Sequence, residues 1–495
     1  MSSSSFFTEK GLKQTISDLN TELKDYYLAD KKPWIIGYSG GKDSTVILQL
    51  VWNMVKNLKP EQRNKNVYVI TTDTLVENPE VAKWVEMSHE AMKKSAEEDQ
   101  LPIKPKILLP AMDKRFWVNL LGRGYPAPRR GFRWCTQRLK ISPTNEFINK
   151  LTENEEVMLL LGTRRAESVA RGNAMKKRDN KLKTKLKPHA DIPSTSVYSP
   201  IEFWTNDDVW IYLNQFENPW NFSNKMLMNL YQGATQDNEC PVVVDTTTPS
   251  CGSSRFGCWV CTLVDKDKSL TAMINNDTDK EWMMPLLKFR DHLDFRTKPE
   301  ERDWDMRDFK RMNGKVNFFK ANDESVKAVP GPYTQESRAF LLKELLLVEK
   351  NINKDNKTKK FEIIGRDELK EIQRIWVHEK HEVEDLVPSI LEEVYGESEI
   401  KPLPASKLLQ KKYLGLLKDS SDNEELYGLT RSLLAVELNK KSSGTRQNHL
   451  KAVKKTFEKY IFDNRKEAEE HGANISDKKD LLKVKIIDDY KGLET

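Results

Sequence analysis

No stretch of about 18 apolar residues occurs anywhere in this chain, so a membrane-spanning helix is not expected. The amino terminus, Met1 to Phe7, has neither a basic start nor an apolar segment long enough to direct export. Cysteine is scarce: there are five, an odd number, four of them fall within 22 residues, and none follows Cys261. Such clustering argues against a disulfide framework and for a reducing compartment, so a soluble cytoplasmic protein is expected. An excess of charge of one sign is also missing. The 81 Lys and Arg against 75 Asp and Glu leave +6 over 495 residues, too little to demand an acidic partner. The chain is lean in apolar residues, 38% with a mean hydropathy of −0.68. Its 12 tryptophans and 18 phenylalanines nevertheless supply a packed interior, which argues against extensive disorder. At this length two or three domains are expected.

The apolar pattern organises the first half of the chain. Leu12, Ile16, Leu19 and Leu23 predict a helix over 8–30, ending before Pro33. Trp34 to Tyr38 reads as a strand, the glycine-rich string Ser39-Gly40-Gly41-Lys42-Asp43-Ser44-Thr45 as a loop, and 45–58 as a helix. Strands are expected again over 66–72, 104–109 and 157–161, with a helix over 81–98. Strands alternating with helices predict an α/β fold, a parallel sheet with helices on both faces, whose ligand lies at the carboxyl ends of the strands. The glycine loop, Asp73 and Gly162 all follow expected strands and should meet there. Beyond Pro285 the charge density rises and periodic segments at 336–350 and 367–385 predict a mainly helical carboxyl-terminal region. The expected division is an amino-terminal helix over 1–33, a nucleotide domain over 34–285 that includes the cysteine region 240–261, a linker over 286–330 and a helical region over 331–495.

A phosphate loop needs glycines, so that backbone amides can approach the anion, and a following helix whose amino terminus favours negative charge. Ser39, Gly40, Gly41, Lys42, Asp43, Ser44 and Thr45 meet both needs. The common nucleotide-loop pattern is not met, because Ile36 stands where its first glycine belongs and Asp43 follows Lys42. Lys42, Arg164 and Arg165 suit the charge that develops as pyrophosphate leaves. Asp43 or Asp73 supplies hard oxygen for Mg²⁺, although Asp73 also suits a turn after a strand. Arg133 and Arg138 flank Cys135 and should favour its thiolate. Cys240, Cys251, Cys258 and Cys261 are separated by proline and glycine and accompanied by no histidine. Thiolates alone suit either a structural Zn²⁺ or an iron-sulfur cluster.

The string Ser39 to Thr45 resembles the signature loop of the ATP pyrophosphatase superfamily, specifically its phosphoadenosine-phosphosulfate reductase branch. Thr72-Asp73-Thr74, Arg133 to Lys140, Gly162 to Ser168, Ser199-Pro200-Ile201 with Trp204, and Asp208-Val209-Trp210 extend the likeness in the same order, over about 34–265. The resemblance implies an adenine nucleotide alpha hydrolase-like fold and ATP with Mg²⁺ at the loop. It also shifts the cysteine reading toward a 4Fe-4S cluster, with Zn²⁺ as the alternative. In related reductases a cysteine at the position of Cys135 takes part in ligation, so Cys135 either replaces Cys240 or Cys251 or stays free as a sulfur-carrying thiol. Reductases of this branch place a nucleophilic cysteine near the carboxyl terminus, and this chain has none there.

The run from Glu239-Cys240-Pro241 through Ser250-Cys251-Gly252 to Gly257-Cys258-Trp259-Val260-Cys261 resembles the DndC family, sulfurtransferases of bacterial DNA phosphorothioation systems. That likeness implies an enzyme that adenylates a DNA backbone phosphate and inserts sulfur for a non-bridging oxygen. Its implied partners are double-stranded DNA, a cysteine desulfurase as sulfur donor and other phosphorothioation proteins in a multi-protein complex, with no membrane. Residues 176–187 hold seven basic residues and one acidic, a composition suited to backbone phosphates without sequence reading. The competing readings are a sulfonucleotide reductase, a tRNA thiolase, or a non-catalytic scaffold knotted by a metal.

Overall fold

The computed structural model describes the chain apart from residues 1–4, 130, 154, 168–171, 174, 176–184, 190, 236–255, 295–302, 322, 355–359, 383, 404–410, 420–423, 441–445 and 479–495. The chain divides into two compact units, one of Met1–Ala111, Trp134–Cys261 and Lys266–Leu287, the other of Met112–Arg133, Thr262–Asp265 and Lys288–Thr495.

In the first unit, helix α1 (Gly11–Leu28) buries Ile16, Leu19, Leu23 and Tyr27 along one face. Strand β1 (Trp34–Gly37) then feeds α2 (Lys42–Lys56), β2 (Val67–Thr72), α3 (Pro79–Glu98) and β3 (Ile103–Leu108). Helix α4 (Ser142–Thr152), strands β4 (Val157–Leu160), β5 (Lys187–Pro188) and β6 (Thr195–Tyr198), and helices α5 (Asn206–Gln215), α6 (Asn224–Gly233) and α7 (Lys268–Asn276) follow. The sheet order is β3-β2-β1-β4-β6-β5. Every pairing is parallel except that of the short edge strand β5 with β6.

Alternation along β1 explains why this sheet needs cover on both faces. Trp34 and Ile36 join the core with Val46, Leu50, Val51 and Trp210, while Ile35 joins Ile70, Ile148, Val157 and Leu159 on the opposite side. The chain leaves β1 toward β2 on one side and returns at β4 on the other. The strand order therefore reverses between β1 and β4, and in such sheets ligands bind outside the carboxyl ends of the strands at that point. The glycine loop follows β1 and Gly162 follows β4, so both lie at this switch point.

The second unit is mainly helical, with one antiparallel hairpin pairing Phe318–Lys320 with Val326–Ala328. Tryptophan indoles tie its early segment to later helices: Trp117 Nε1 donates to the Ile363 carbonyl at 3.0 Å and Trp376 Nε1 to that of Leu121 at 2.8 Å. The helix expected over 367–385 is shorter. Helix α8 (Arg366–Arg374) passes into a π turn at Ile375–Glu379 and stops. His381 and Asp385 adopt left-handed backbone, φ +60° and +47°, which a right-handed helix cannot accommodate. Among the described residues no helix is long and apolar enough to cross a membrane.

Candidate functional site

Ser39-Gly40-Gly41 turns β1 directly into α2. Gly40 has φ +73°, and a Cβ on it would lie 2.5 Å from Val85 Cγ2 of α3, so only glycine fits. Trp84, also on α3, fixes the turn by donating from Nε1 to the Gly40 carbonyl at 3.0 Å. Inside the loop, Ser44 Oγ donates to the Gly41 carbonyl at 2.9 Å and accepts the Ser39 N–H at 3.2 Å. Thr45 Oγ1 reaches the same carbonyl at 2.9 Å. The loop is thus held from below by its own hydroxyls, a rigid mount for the amino terminus of α2.

The two consecutive arginines after β4 do different work. Arg164 is 2% exposed. Its Nε donates to Asp43 Oδ1 at 2.6 Å and its Nη1 to the Trp204 carbonyl at 3.2 Å. The guanidinium expected to meet a phosphate is therefore already engaged with the second residue of α2, and it orients Asp43. Arg165 donates through Nε to Glu202 Oε1 at 2.7 Å and lies 4.4 Å from the centre of the Phe203 ring. Gly162 makes this meeting of β4 and α2 possible: a Cβ there would come within 2.8 Å of the Asp43 carbonyl carbon and oxygen. Lys42 sits 3.8 Å from the Asp43 carboxylate and 4.9 Å from the centre of the Tyr231 ring. Its N–H donates to the Tyr231 hydroxyl at 3.4 Å.

At the end of β2, Asp73 Oδ1 accepts the Leu75 N–H at 2.8 Å and steadies a left-handed Leu75 with φ +63°. Burial pushes the Asp73 carboxyl above its ordinary value, with the Leu75 N–H acting the other way. The carboxyl-terminal pair of the cysteine group packs against this same turn. Trp259 N–H donates to the Val76 carbonyl at 3.0 Å, and Glu77 and Cys258 form an isolated antiparallel bridge. Cys261 N–H closes the C-x-x-C turn on the Cys258 carbonyl at 3.0 Å. Thr74 Oγ1 stands 3.5 Å from Cys258 Sγ.

Cys135 precedes a π turn, Thr136–Ile141, that carries Lys140. Lys140 Nζ pairs with Glu77 Oε1 at 3.1 Å. Partial burial opposes its charge, but Cys258, Glu77 and Cys135 outweigh that and hold the ammonium above its usual range. Cys135 and Cys261 also lie close enough to influence one another. Cys135 and Cys258, from two distant segments, thus lie within electrostatic reach of one lysine, and Cys261 within reach of both thiols. The flanking arginines do not set the state of Cys135, as the sequence had suggested they should: burial raises its thiol, with Thr136 acting against that. Burial likewise pushes Cys258 up, Glu77 adding to it and Lys140 opposing.

Cys240 and Cys251, as well as most of the basic run 176–187, lie outside the described residues. Among the described residues no group of three or more His, Cys, Asp or Glu side chains is arranged to hold a metal. The donors Cys135, Cys258 and Cys261 nonetheless fit an iron-sulfur centre in kind. They are soft thiols beside a cation that offsets thiolate charge, and a fourth would come from Cys240 or Cys251. Lys140, Glu77, Thr74 and Tyr231 were not picked out by the sequence. Lys140 and Thr74 left a signal all the same, the first five residues after Cys135 in one motif string and the second next to Asp73 in another.

Residues 33–263 match the family model of the phosphoadenosine phosphosulfate reductase domain. An uncharacterized protein of Methanocaldococcus jannaschii is 31% identical over 199 residues, which are 40% of this chain and 35% of that protein. The matched segment therefore spans about a third of the relative's length. Two solved structures are similar at lower identity. Phosphoadenylyl-sulfate reductase from Candida auris, in a phosphate complex, is 14% identical with a TM-score of 0.26, over 41% of this chain and 86% of that one. The U34-tRNA thiolase NcsA from Methanococcus maripaludis, with its [4Fe-4S] cluster, is 15% identical with a TM-score of 0.28, over 57% and 80%. At these values neither likeness bears on what this chain acts on. Residues 33–263 are thus similar to the phosphoadenosine phosphosulfate reductase domain, and they fold as an α/β unit with a mostly parallel sheet.

Proposed function

We propose that this chain is an ATP-dependent sulfurtransferase that activates a DNA backbone phosphate by adenylation and replaces a non-bridging oxygen with sulfur. The observation that carries the reading is the adjacency of two centres. The phosphate loop leaves β1, and the turn bearing Asp73, Thr74 and Glu77, against which Cys258 packs, leaves the neighbouring strand β2.

ATP would lie with its phosphates over the amino terminus of α2, where Lys42 and the backbone amides meet the charge that grows as pyrophosphate departs. Asp43, oriented by Arg164, and Asp73 offer carboxylate oxygen to Mg²⁺. An oxygen of the DNA phosphate attacks the α-phosphorus of ATP and pyrophosphate leaves. A sulfide equivalent then attacks the DNA phosphorus, and AMP leaves with the oxygen that came from DNA. Cys135, Cys258 and Cys261, with Cys240 or Cys251, would hold a 4Fe-4S cluster, which when bound supplies iron able to carry sulfur. Lys140 and Glu77 hold the protein side of that centre, Lys140 offsetting thiolate charge. A cysteine desulfurase would deliver the sulfur as a persulfide, and a thiol reductant would release it at the sulfide level by forming a disulfide with the inner sulfur; other phosphorothioation proteins would assemble with the chain.

The test is mass spectrometry of nuclease-digested DNA and tRNA from cells expressing the chain with its neighbouring genes. Phosphorothioate-linked dinucleotides that disappear in Lys42→Ala are expected. Thiolated tRNA nucleosides that depend on Lys42, with no DNA phosphorothioate, would overturn the DNA reading in favour of a tRNA thiolase.

A further inference from the structure

The phosphate loop has a neighbour that no motif accounts for. Tyr231, near the end of α6, is 6% exposed, and its hydroxyl accepts the N–H of Lys42 at 3.4 Å. That distance is at the long end for an N–H···O bond. A phosphate oxygen forms a shorter, charge-assisted bond to such an amide. The hydroxyl thus occupies a position where an anion at the head of α2 would bind, and its ring covers the Lys42 ammonium at 4.9 Å. A Cβ on Gly41 would lie 3.1 Å from the same oxygen, so the phenol is packed tightly against the loop.

Its other contacts are unequal. On one side Tyr231 meets Trp210 edge to face at 5.2 Å, and Trp210 is wholly buried in the core. On the other it meets Phe256 edge to face at 4.7 Å, and Phe256 is only partly buried. Phe256 stands two residues before Cys258, whose C-x-x-C turn is fastened to the end of β2 through Trp259 and Val76. A shift of the phenol away from Lys42 is resisted by the fixed indole and transmitted to the half-buried phenylalanine. The ring touches the loop at Lys42 and the segment leading into the C-x-x-C at Phe256, so it is a physical connection between them.

Taking as given that ATP occupies the loop, we propose that Tyr231 couples nucleotide binding to the cysteine centre, yielding the Lys42 amide to a phosphate oxygen and moving the Phe256–Cys261 segment as it does so. Tyr231 is a positioning residue in this account. Its ring does the coupling, and its hydroxyl competes with the nucleotide.

The two parts separate by substitution. Tyr231→Phe keeps the ring but removes the competitor, so calorimetry should show Mg-ATP binding about fivefold more tightly than to wild type, the worth of one net hydrogen bond. Hydrogen–deuterium exchange over Phe256–Cys261, where the Trp259 and Cys261 amides are bonded, should change on ATP addition in wild type and in Tyr231→Phe. In Tyr231→Leu the segment should no longer respond although ATP still binds. Equal or weaker ATP binding by Tyr231→Phe would overturn the competition. Exchange that ignores ATP in wild type, or responds equally in Tyr231→Leu, would overturn the coupling. Absence of ATP binding to wild type would instead remove the phosphate-site reading itself. Should Tyr231→Leu fail to fold, the Tyr231→Phe calorimetry and the wild-type exchange still decide.

Discussion

The phosphate loop and the cysteine centre sit at the ends of adjacent strands and are built in opposite ways. The loop is seven consecutive residues whose hydroxyls and amides satisfy each other locally, with α3 and β4 pressed against it at two glycines. The cysteine centre is pieced together from the β2–α3 turn, the segment around Cys135 and the C-x-x-C, joined by one lysine and one short bridge. The difference teaches where each tolerates change. A contiguous mount fails when backbone is displaced, whereas an assembled centre fails when one donor is lost.

Several substitutions would break or sharpen that contrast. The largest effect is expected from Cys258→Ser, which should leave no detectable phosphorothioate in digested DNA while the single-turnover rate of pyrophosphate release from ATP stays within about twofold, since catalytic electrostatics at the loop are untouched. Gly162→Ala should act in reverse. Its Cβ would enter the Asp43 backbone, and displacing the head of α2 by even about 1 Å should lower pyrophosphate release roughly 100-fold while the colour of the purified protein is unchanged. Arg164→Met removes the nearer of the two cations beside the Asp43 carboxylate, leaving Lys42 at 3.8 Å, and should destabilise the first unit by about 2 kcal/mol in urea unfolding. The smallest effect is expected from Arg165→Lys, whose guanidinium packs on Phe203 rather than on the loop. ATP affinity should stay within about twofold, and stability should fall by no more than about 1 kcal/mol. A large loss of ATP affinity in Arg165→Lys would show that the two arginines share one task.

Much of the first unit was legible because its signals are local. Alternating Trp34, Ile35 and Ile36 announce a strand covered on both faces, and Ser39 to Thr45 announces the loop. The strands at β5 and β6 left little trace, the first being two residues long and the second, Thr195-Ser196-Val197-Tyr198, lacking the apolar run that marks β1 and β4. The break after Glu379 was hidden because nothing in His381 or Asp385 advertises a left-handed backbone. In the site, the partnership of Arg164 with Asp43 spans 121 residues and that of Tyr231 with Lys42 spans 189. Such pairings are set by which strands become neighbours, and residue type alone does not encode them. Cys135 was singled out beside an arginine pair, yet burial and Lys140 set its surroundings.

The central claim is that both centres act on one phosphate. Purified protein with its sulfur donor, Mg-ATP and DNA carrying ¹⁸O at non-bridging positions would test it by mass spectrometry of the AMP released. The account expects one DNA-derived ¹⁸O in AMP for each phosphorothioate formed. Phosphorothioate accompanied by AMP whose new oxygen comes only from water would contradict it, because the oxygen removed from DNA would then never have been adenylated.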